Sequence, residues 1–345
     1  MNATVAALLV QDGLTNGLLY ALIALSILIV FLVTRVFWIP AGEFVVFGAL
    51  TMGMLNTGSV PGTVWLLPIV GLVAAFSYAY FCWRAGNWRN WQYMAACSLV
   101  YPPCVAYLAA WLAPLSLSPL ADGLLTLLLV APMAPLLYVS IFRPISGTSV
   151  LTKLIVAVAL HTVLVGAGLL FFGPEGVRAS PLIAGRIDMG FTRVSFQLLL
   201  VLGISVVSMT ALWAFFERTL WGKALRATAM NQLGARLVAI KAEAAGLLAF
   251  GLAGFIGTLA GILIAPIATM YYDGGFLLSL KGFIGVVCAA MLSFPLAVAG
   301  ALLVGVLDAF SAFYASSMRD VIVFAALIPI LIWRSISSVH LGEEE

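Results

Sequence analysis

The sequence predicts an all-α, polytopic membrane protein: one transmembrane domain over residues 1–345 with about nine to eleven segments at bilayer depth. Three observations carry this. Hydrophobic residues make up 64% of the chain and charged residues 8%, against about 45–50% and about 25% in soluble domains. The apolar residues are grouped in runs that can cross about 30 Å of hydrocarbon at about 1.5 Å per residue. Charge is dense in only one stretch, 217–243.

Taken in order, runs of spanning length lie at 14–34, 63–83, 91–112, 121–141, 150–172, 193–215, 243–266 and 296–314, with shorter ones at 42–57, 282–294 and 321–335. No positive region precedes the first apolar stretch, so the first run reads as a retained span and not as a cleaved leader. Short cytoplasmic loops collect Lys and Arg. Placing 217–242 inside also puts Arg35, Arg84, Arg89, Arg143 and Lys153 inside and leaves the uncharged loops 58–62 and 113–120 outside. The N-terminus is then outside and the final "GEEE" inside. One loop runs against the rule: 173–193 carries Arg178, Arg186 and Arg193 on the outer side, partly offset by Glu175 and Asp188.

Composition also narrows the chemistry. A net charge of +3, spread singly between apolar runs, reads as a topology signal and implies no nucleic-acid partner. Cys82, Cys97, Cys104 and Cys288 form no CxxC and have no His at metal spacing, so they read as small core residues, with no metal site. No nucleophile has a base at a useful spacing, which points away from an enzyme. Small residues recur every fourth position, at Ala253, Gly257 and Gly261 and at Ala297, Ala301, Gly305 and Ala309. Such stripes let helix backbones approach closely where lipid offers no hydrophobic drive. No internal repeat stands out.

In the charged stretch, "ERTLWGKALRATAMNQLGARLVAIKAE", residues Leu220, Trp221, Ala224, Leu225 and Thr228 are expected to share one helical face, with Lys223 and Arg226 pointing away. Asn231 and Gly234 interrupt it, giving helix, turn, helix. Either this is a helix lying on the headgroups or it is a docking element for a soluble partner.

The order of residues speaks for docking. The run "RTLWGKALRATAMNQLGARLVAI" resembles the cytoplasmic coupling segment of LivH-type permeases, the branched-chain amino acid branch of ABC importers. Arg218, Thr219, Gly222, Lys223, Ala224, Arg226, Ala227, Ala229, Ala235, Leu237 and Ile240 fall on the pattern, and its last glycine is Ala239 here. "WIPAGEF" resembles the family's N-F-A-H-G-E-F/V turn, with Gly42, Glu43 and Phe44 matched but Trp38 and Ala41 in place of Asn and His. "FRPISG", "GTLAGILIAPIATMYYDGGFLLSLKGF" and "FPLAVAGALLVGVLDAFSAFY" continue the family order. The family's glycine-rich bend reads Ala289 to Pro295 here, so it is expected to bend less freely. Residues 63–112 hold about two more crossings than the family pattern, an extra hairpin expected on the lipid-facing outside.

The resemblance implies a type II ABC-importer permease fold and the import of branched-chain amino acids, amides, urea or small carboxylates. It implies as partners a second, LivM-like permease, two cytoplasmic ATPase subunits and a periplasmic binding protein, in a bacterial inner membrane. It assigns ATPase coupling to Arg218, Thr219, Gly222, Lys223, Arg226, Asn231 and Arg236, and pathway or gate roles to Gly42, Glu43, Phe44 and Pro295. Gly257, Gly261, Ala301 and Gly305 would pack helices. No cofactor is expected in this chain: it has no G-x-x-x-x-G-K-S/T loop, so ATP and Mg would sit on the partner ATPases. The alternative is a self-sufficient secondary transporter or channel, which needs a coupling cluster at mid-membrane, and only Glu43 and His161 could supply one.

Five ionisable residues fall at membrane depth. Glu43 follows "IPAG" at a helix start, where amide dipoles favour a carboxylate, as a structural cap or a gate. His161 reads as a hydrogen-bonded core histidine, Lys153 as snorkelling to the inner interface, and Asp122 as a helix cap. Asp308 matches a family acidic position in "GVLDAF".

Overall fold

The structure, a computed structural model, describes residues 3–85, 94, 96–115, 118–183, 185–188, 193–289, 291 and 293–332. Its helices are α1 (Ala3–Thr34), α2 (Ala41–Asn56), α3 (Thr63–Ala85), α4 (Tyr101–Leu112), α5 (Pro119–Val130), α6 (Met133–Leu137), α7 (Val150–Phe172), α8 (Phe196–Arg218), α9 (Leu220–Met230), α10 (Gln232–Leu237), α11 (Ala242–Ile264), α12 (Gly275–Cys288), α13 (Phe294–Tyr314) and α14 (Arg319–Ala325). Strands β1 (Arg186–Asp188) and β2 (Arg193–Ser195) form one small antiparallel hairpin. Among the described residues, eight helical stretches are long and apolar enough to cross a membrane, so the chain is an all-α polytopic bundle.

The centre is built twice on one plan: a long helix, a non-helical stretch, then a short buried helix. α1, residues 35–40 and α2 form one copy; α11, residues 265–274 and α12 form the other. At 16 and 14 residues, the short helices reach only about 24 and about 21 Å, less than a bilayer core. The second of them corrects the sequence reading, which put a segment at 282–294. Ser279 and Lys281 lower the hydropathy of its first half, and the fold buries both by giving them partners.

Backbones meet closely where side chains are absent. A Cβ on Gly48 would lie 2.8 Å from the Thr258 carbonyl, one on Gly257 3.0 Å from Phe44 Cβ, and one on Gly261 would overlap the Val45 carbonyl, which sets α2 against α11. Ala301 faces Gly285 of α12, and Gly305 lies on Gly17 of α1. Both small-residue stripes are thus consumed by contacts within the chain. In α3 and α4, Trp65, Phe76, Trp83, Tyr107 and Trp111 face outward, while Ser98 is buried against Gly71.

Polar contacts sort the helix ends into two groups. On one side Arg143 pairs with Glu243 at 2.8 Å, Arg35 donates to the Ala229 carbonyl, and Lys153 Nζ donates to the Thr34 carbonyl at 3.2 Å. Lys153 is therefore buried and closes the end of α1 instead of snorkelling. On the other side Asn56 donates to Asp122 at 3.3 Å and accepts from the Ser180 amide. Asp122 does not cap α5, which opens at Pro119 after Ser118 without a side-chain cap; it is a buried acceptor one turn in.

Candidate functional site

Two features stand out: the break before α2 and the segment α9–α10. The first is built by Pro40, which has no N–H to donate, and by a chain that leaves α1 with Arg35 in the left-handed region at φ 56°. The starts of α2 and α12 then converge. Ser279 Oγ donates to the Ile39 carbonyl and accepts from the Gly42 amide, each at 2.6 Å. Any Cβ on Gly42 would overlap the Gly275 carbonyl, and one on Gly275 would come within 2.5 Å of Glu43 Oε1. Only two glycines permit this approach.

Glu43 sits in the first turn of α2 with its side chain fully buried. Its Oε1 hydrogen-bonds His161 Nδ1 at 2.8 Å, and the His161 ring leans on Phe276 with centroids 5.2 Å apart. Oε2 has no hydrogen-bond partner among the described residues. A buried carboxylate needs compensation, and here it comes from one imidazole and the positive ends of two helices. Phe44, also buried, packs on Trp38 at 5.6 Å, and Trp38 in turn meets Phe142 and Phe250. The family's polar Asn position has become part of an aromatic cluster, with the Trp38 Nε1 buried and unpartnered among the described residues. Pro295 does not join this group. It lies in the first turn of α13, on an apolar groove with Leu25, Trp213, Phe294 and Val298.

A second buried cluster centres on Asp308. Arg319 grips it through Nε at 2.7 Å and Nη2 at 2.5 Å, Lys281 Nζ lies 3.0 Å from it, and the Tyr20 hydroxyl donates at 2.7 Å. Lys281 also reaches Asp320 at 3.0 Å. Two cations and two carboxylates thereby join α1, α12, α13 and α14. Sequence reasoning flagged Asp308 alone; a lysine inside the apolar run "FLLSLKGF" was the signal for its partner.

In the α9–α10 segment, Thr219 caps α9 by accepting from the Gly222 amide at 3.0 Å, and Asn231 caps α10 by accepting from the Gly234 amide at 2.9 Å. Gly222 has no room for a Cβ against Phe215 and Phe216, so α9 folds tightly onto the end of α8. This changes the buried face. Gly222, Leu225 and Thr228 point inward, whereas Leu220 and Trp221, assigned to the apolar face from sequence, are 84% and 61% exposed. Arg226 pairs with Glu217 at 2.7 Å, both half exposed; Arg218 and Lys223 are exposed. Arg236 belongs to α10, with its side chain outside the described residues. Ala239, where the family pattern has glycine, takes φ 62°. Met291, within the stretch aligned with the family's glycine-rich bend, takes φ 57°, a backbone region that glycine enters most easily.

None of these clusters offers a nucleophile with a base, and among the described residues no group of three or more His, Cys, Asp or Glu is arranged to hold a metal. What they offer is charge held at depth and a shaped end.

Comparison with known proteins agrees with that reading. The family described as Branched-chain amino acid transport system / permease component matches residues 96–331. The high-affinity branched-chain amino acid transport system permease protein BraD of Pseudomonas aeruginosa is 28% identical over 200 residues, covering 56% of this chain and 65% of that protein. LivH of Salmonella typhimurium is 27% identical and LivH of Escherichia coli 26%, each over 55% of this chain and 64% of the relative. The chain thus spans just under two thirds of the length of these curated relatives. No solved structure matches it. Matched over more than half its length, the chain belongs to the permease-component family of the branched-chain amino acid transport system.

Proposed function

We propose that the chain is the membrane-spanning permease subunit of an ATP-driven importer in a bacterial inner membrane, with its N-terminus outside and its C-terminus in the cytoplasm. It would pair with a second, LivM-like permease, and be served by two cytoplasmic ATPases, which bind ATP and Mg, and by a periplasmic binding protein. Its cargo is a branched-chain amino acid or a related small solute. The relatives' names and the family match support this reading.

The observation that carries it is the surface of α9–α10. Leu220, Trp221, Met230, Leu237 and Val238 are all more than half exposed, at the same end as Arg35, Arg143 and Lys153. Leu220, Trp221, Ala224, Ala239 and Lys241 line a groove of about 530 Å³ there. An apolar patch at a basic, wet end marks a protein contact, and the positive-inside rule puts that end in the cytoplasm. On this reading Arg218, Thr219, Gly222, Lys223, Arg226, Asn231 and Arg236 form and rim the ATPase dock. The convergence at Gly42, Glu43 and Phe44 is the hinge or gate that the dock moves, and Pro295 lines a second moving seam.

The test is uptake by proteoliposomes holding the chain with a LivM-like permease and two ATPases from the same source. ATP with the binding protein should drive leucine uptake, and Trp221→Glu should abolish co-purification of the ATPase and uptake together while membrane insertion stays normal. Uptake driven by a proton or sodium gradient without ATP, or a Trp221→Glu chain that still holds its ATPase, would overturn the proposal.

A further inference from the structure

The three arginines of the 173–193 loop break the charge rule that the other loops obey, and the fold shows where two of them go. Arg178 and Arg186 line one cavity of about 1080 Å³ at the end opposite α9–α10, together with Asp12 and Asn16 of α1 and Arg319 after α13. Small-molecule pockets run to about 300–1,000 Å³, so this volume admits a small solute with its water.

Its charge is unequal, with three guanidiniums facing one carboxylate. Arg319 is partly engaged, with Nε and Nη2 on Asp308, which leaves Nη1 of its five-donor guanidinium without a partner among the described residues. Arg178 spends only Nε, on the Pro266 carbonyl at 3.1 Å, and Arg186 makes no hydrogen bond or ion pair among the described residues. Asp12 makes none there either. A guanidinium presents paired N–H donors matched to a carboxylate, and a concave wall excludes part of the competing water. Two arginines with donors to spare and a carboxylate across the same cavity form a receptor for a zwitterion.

We infer that this cavity is a binding site for a small solute bearing a carboxylate, held by Arg178 and Arg186, with Asp12 taking the ammonium of an α-amino acid. Arg319 forms its charged floor. Through Asp308 and Lys281 that floor is joined to the short helix α12, whose start abuts Glu43. A solute carboxylate that draws on Arg319 therefore acts on the discontinuous centre of the bundle. The inference rests on the permease reading, because it takes this end to be the outer one.

The experiment uses the full permease pair in nanodiscs without the binding protein. Three probes are titrated: leucine, 4-methylpentanoate, which is leucine without its amino group, and 3-methylbutylamine, which is leucine without its carboxylate. Leucine and 4-methylpentanoate should bind and compete, and the amine should not. Arg178→Gln with Arg186→Gln should weaken both acids at least tenfold. Asp12→Asn should weaken leucine alone. All three side chains are exposed, so the variants should fold, which their elution and thermal midpoints check. The site is refuted if the amine binds as well as the acids, or if no probe binds. It is refuted equally if the double arginine variant leaves the affinity for both acids unchanged. Uptake by the wild-type assembly, run in parallel, separates the two ideas. ATP-driven uptake without binding here sinks the site alone, and the absence of ATP-driven uptake of any solute sinks the permease reading.

Discussion

Glu43 and His161, 118 residues apart in sequence, share a 2.8 Å hydrogen bond that fastens the first turn of α2 to the middle of α7. α7 has few other polar ties: much of its surface is exposed apolar side chain, and its second polar tie is Lys153 to the Thr34 carbonyl. The pair adds a polar tie to the apolar contacts of α7, such as Phe172 stacked on Phe47, at the point where two short helices begin.

Replacing Glu43 separates tie from charge. Glu43→Gln keeps the reach and an acceptor for His161, and should cost under about 1 kcal/mol of stability in detergent. Glu43→Ala removes the acceptor and leaves the ring and both helix starts without their anion, at about 3–5 kcal/mol. Denaturant titration of both variants decides it, and equal losses would show that the charge matters more than the tie. In the double variant with His161→Ala the two losses should not add, because the residues share one interaction.

The Asp308 cluster behaves as a unit. Asp308→Ala strands Arg319 and leaves Lys281, 8% exposed, with Asp320 alone, which should cost about 3–5 kcal/mol. Adding Lys281→Met should restore part of that, since the worst-buried cation is then gone as well. Thermal midpoints of the single and double variants test this. No recovery in the double variant would mean that Lys281 needs no anion.

These two clusters show how far the sequence could be read. Long apolar runs and the grouping of Arg35, Arg143 and Lys153 were visible because bilayer thickness and loop charge are local properties. The four-residue spacing of Gly257 and Gly261 was visible for the same reason. Glu43 and His161 were visible as the two residues able to form a mid-membrane cluster, but not their contact, because nothing near residue 43 fixes where residue 161 falls. The face of α9 was misjudged because eleven residues hold too few turns to fix a phase. The deciding feature is Gly222, whose missing side chain lets α8 cover that side. α12 was displaced because Lys281 reads as a boundary until Asp308 is found beside it.

Glycines should divide sharply by what surrounds them. Gly261→Ala forces a methyl into the Val45 carbonyl and against the Ala49 amide. α2 must then move off α11, and stability should fall by about 1–3 kcal/mol as in other overpacked cores. Gly203→Ala in α8 meets nothing within 4 Å and should gain up to about 1 kcal/mol of helix propensity. Expression level and unfolding midpoint report both. A destabilising Gly203→Ala would show that a partner helix packs there in the assembled protein.

Ala239 carries the last prediction. Its φ of 62° lies in a region that costs an L-residue about 1–2 kcal/mol and glycine almost nothing. The strain is paid where the chain turns from α10 into α11, with Ile240 donating its amide back to the Ala235 carbonyl at 3.0 Å. Ala239→Gly relieves it, but it also frees the unfolded chain, which offsets about 0.4–1 kcal/mol. The net gain should be about 0.5–1 kcal/mol. Ala239→Val, branched at Cβ and poorly suited to this backbone, should lose more than alanine does. The expected stability order is Gly, then Ala, then Val, read from denaturation midpoints of the purified chain. Because Ala239 lines the groove beside Leu220 and Trp221, the same three variants should rank in the same order for ATPase retention. Valine that holds the ATPase as well as glycine would separate the turn from the dock.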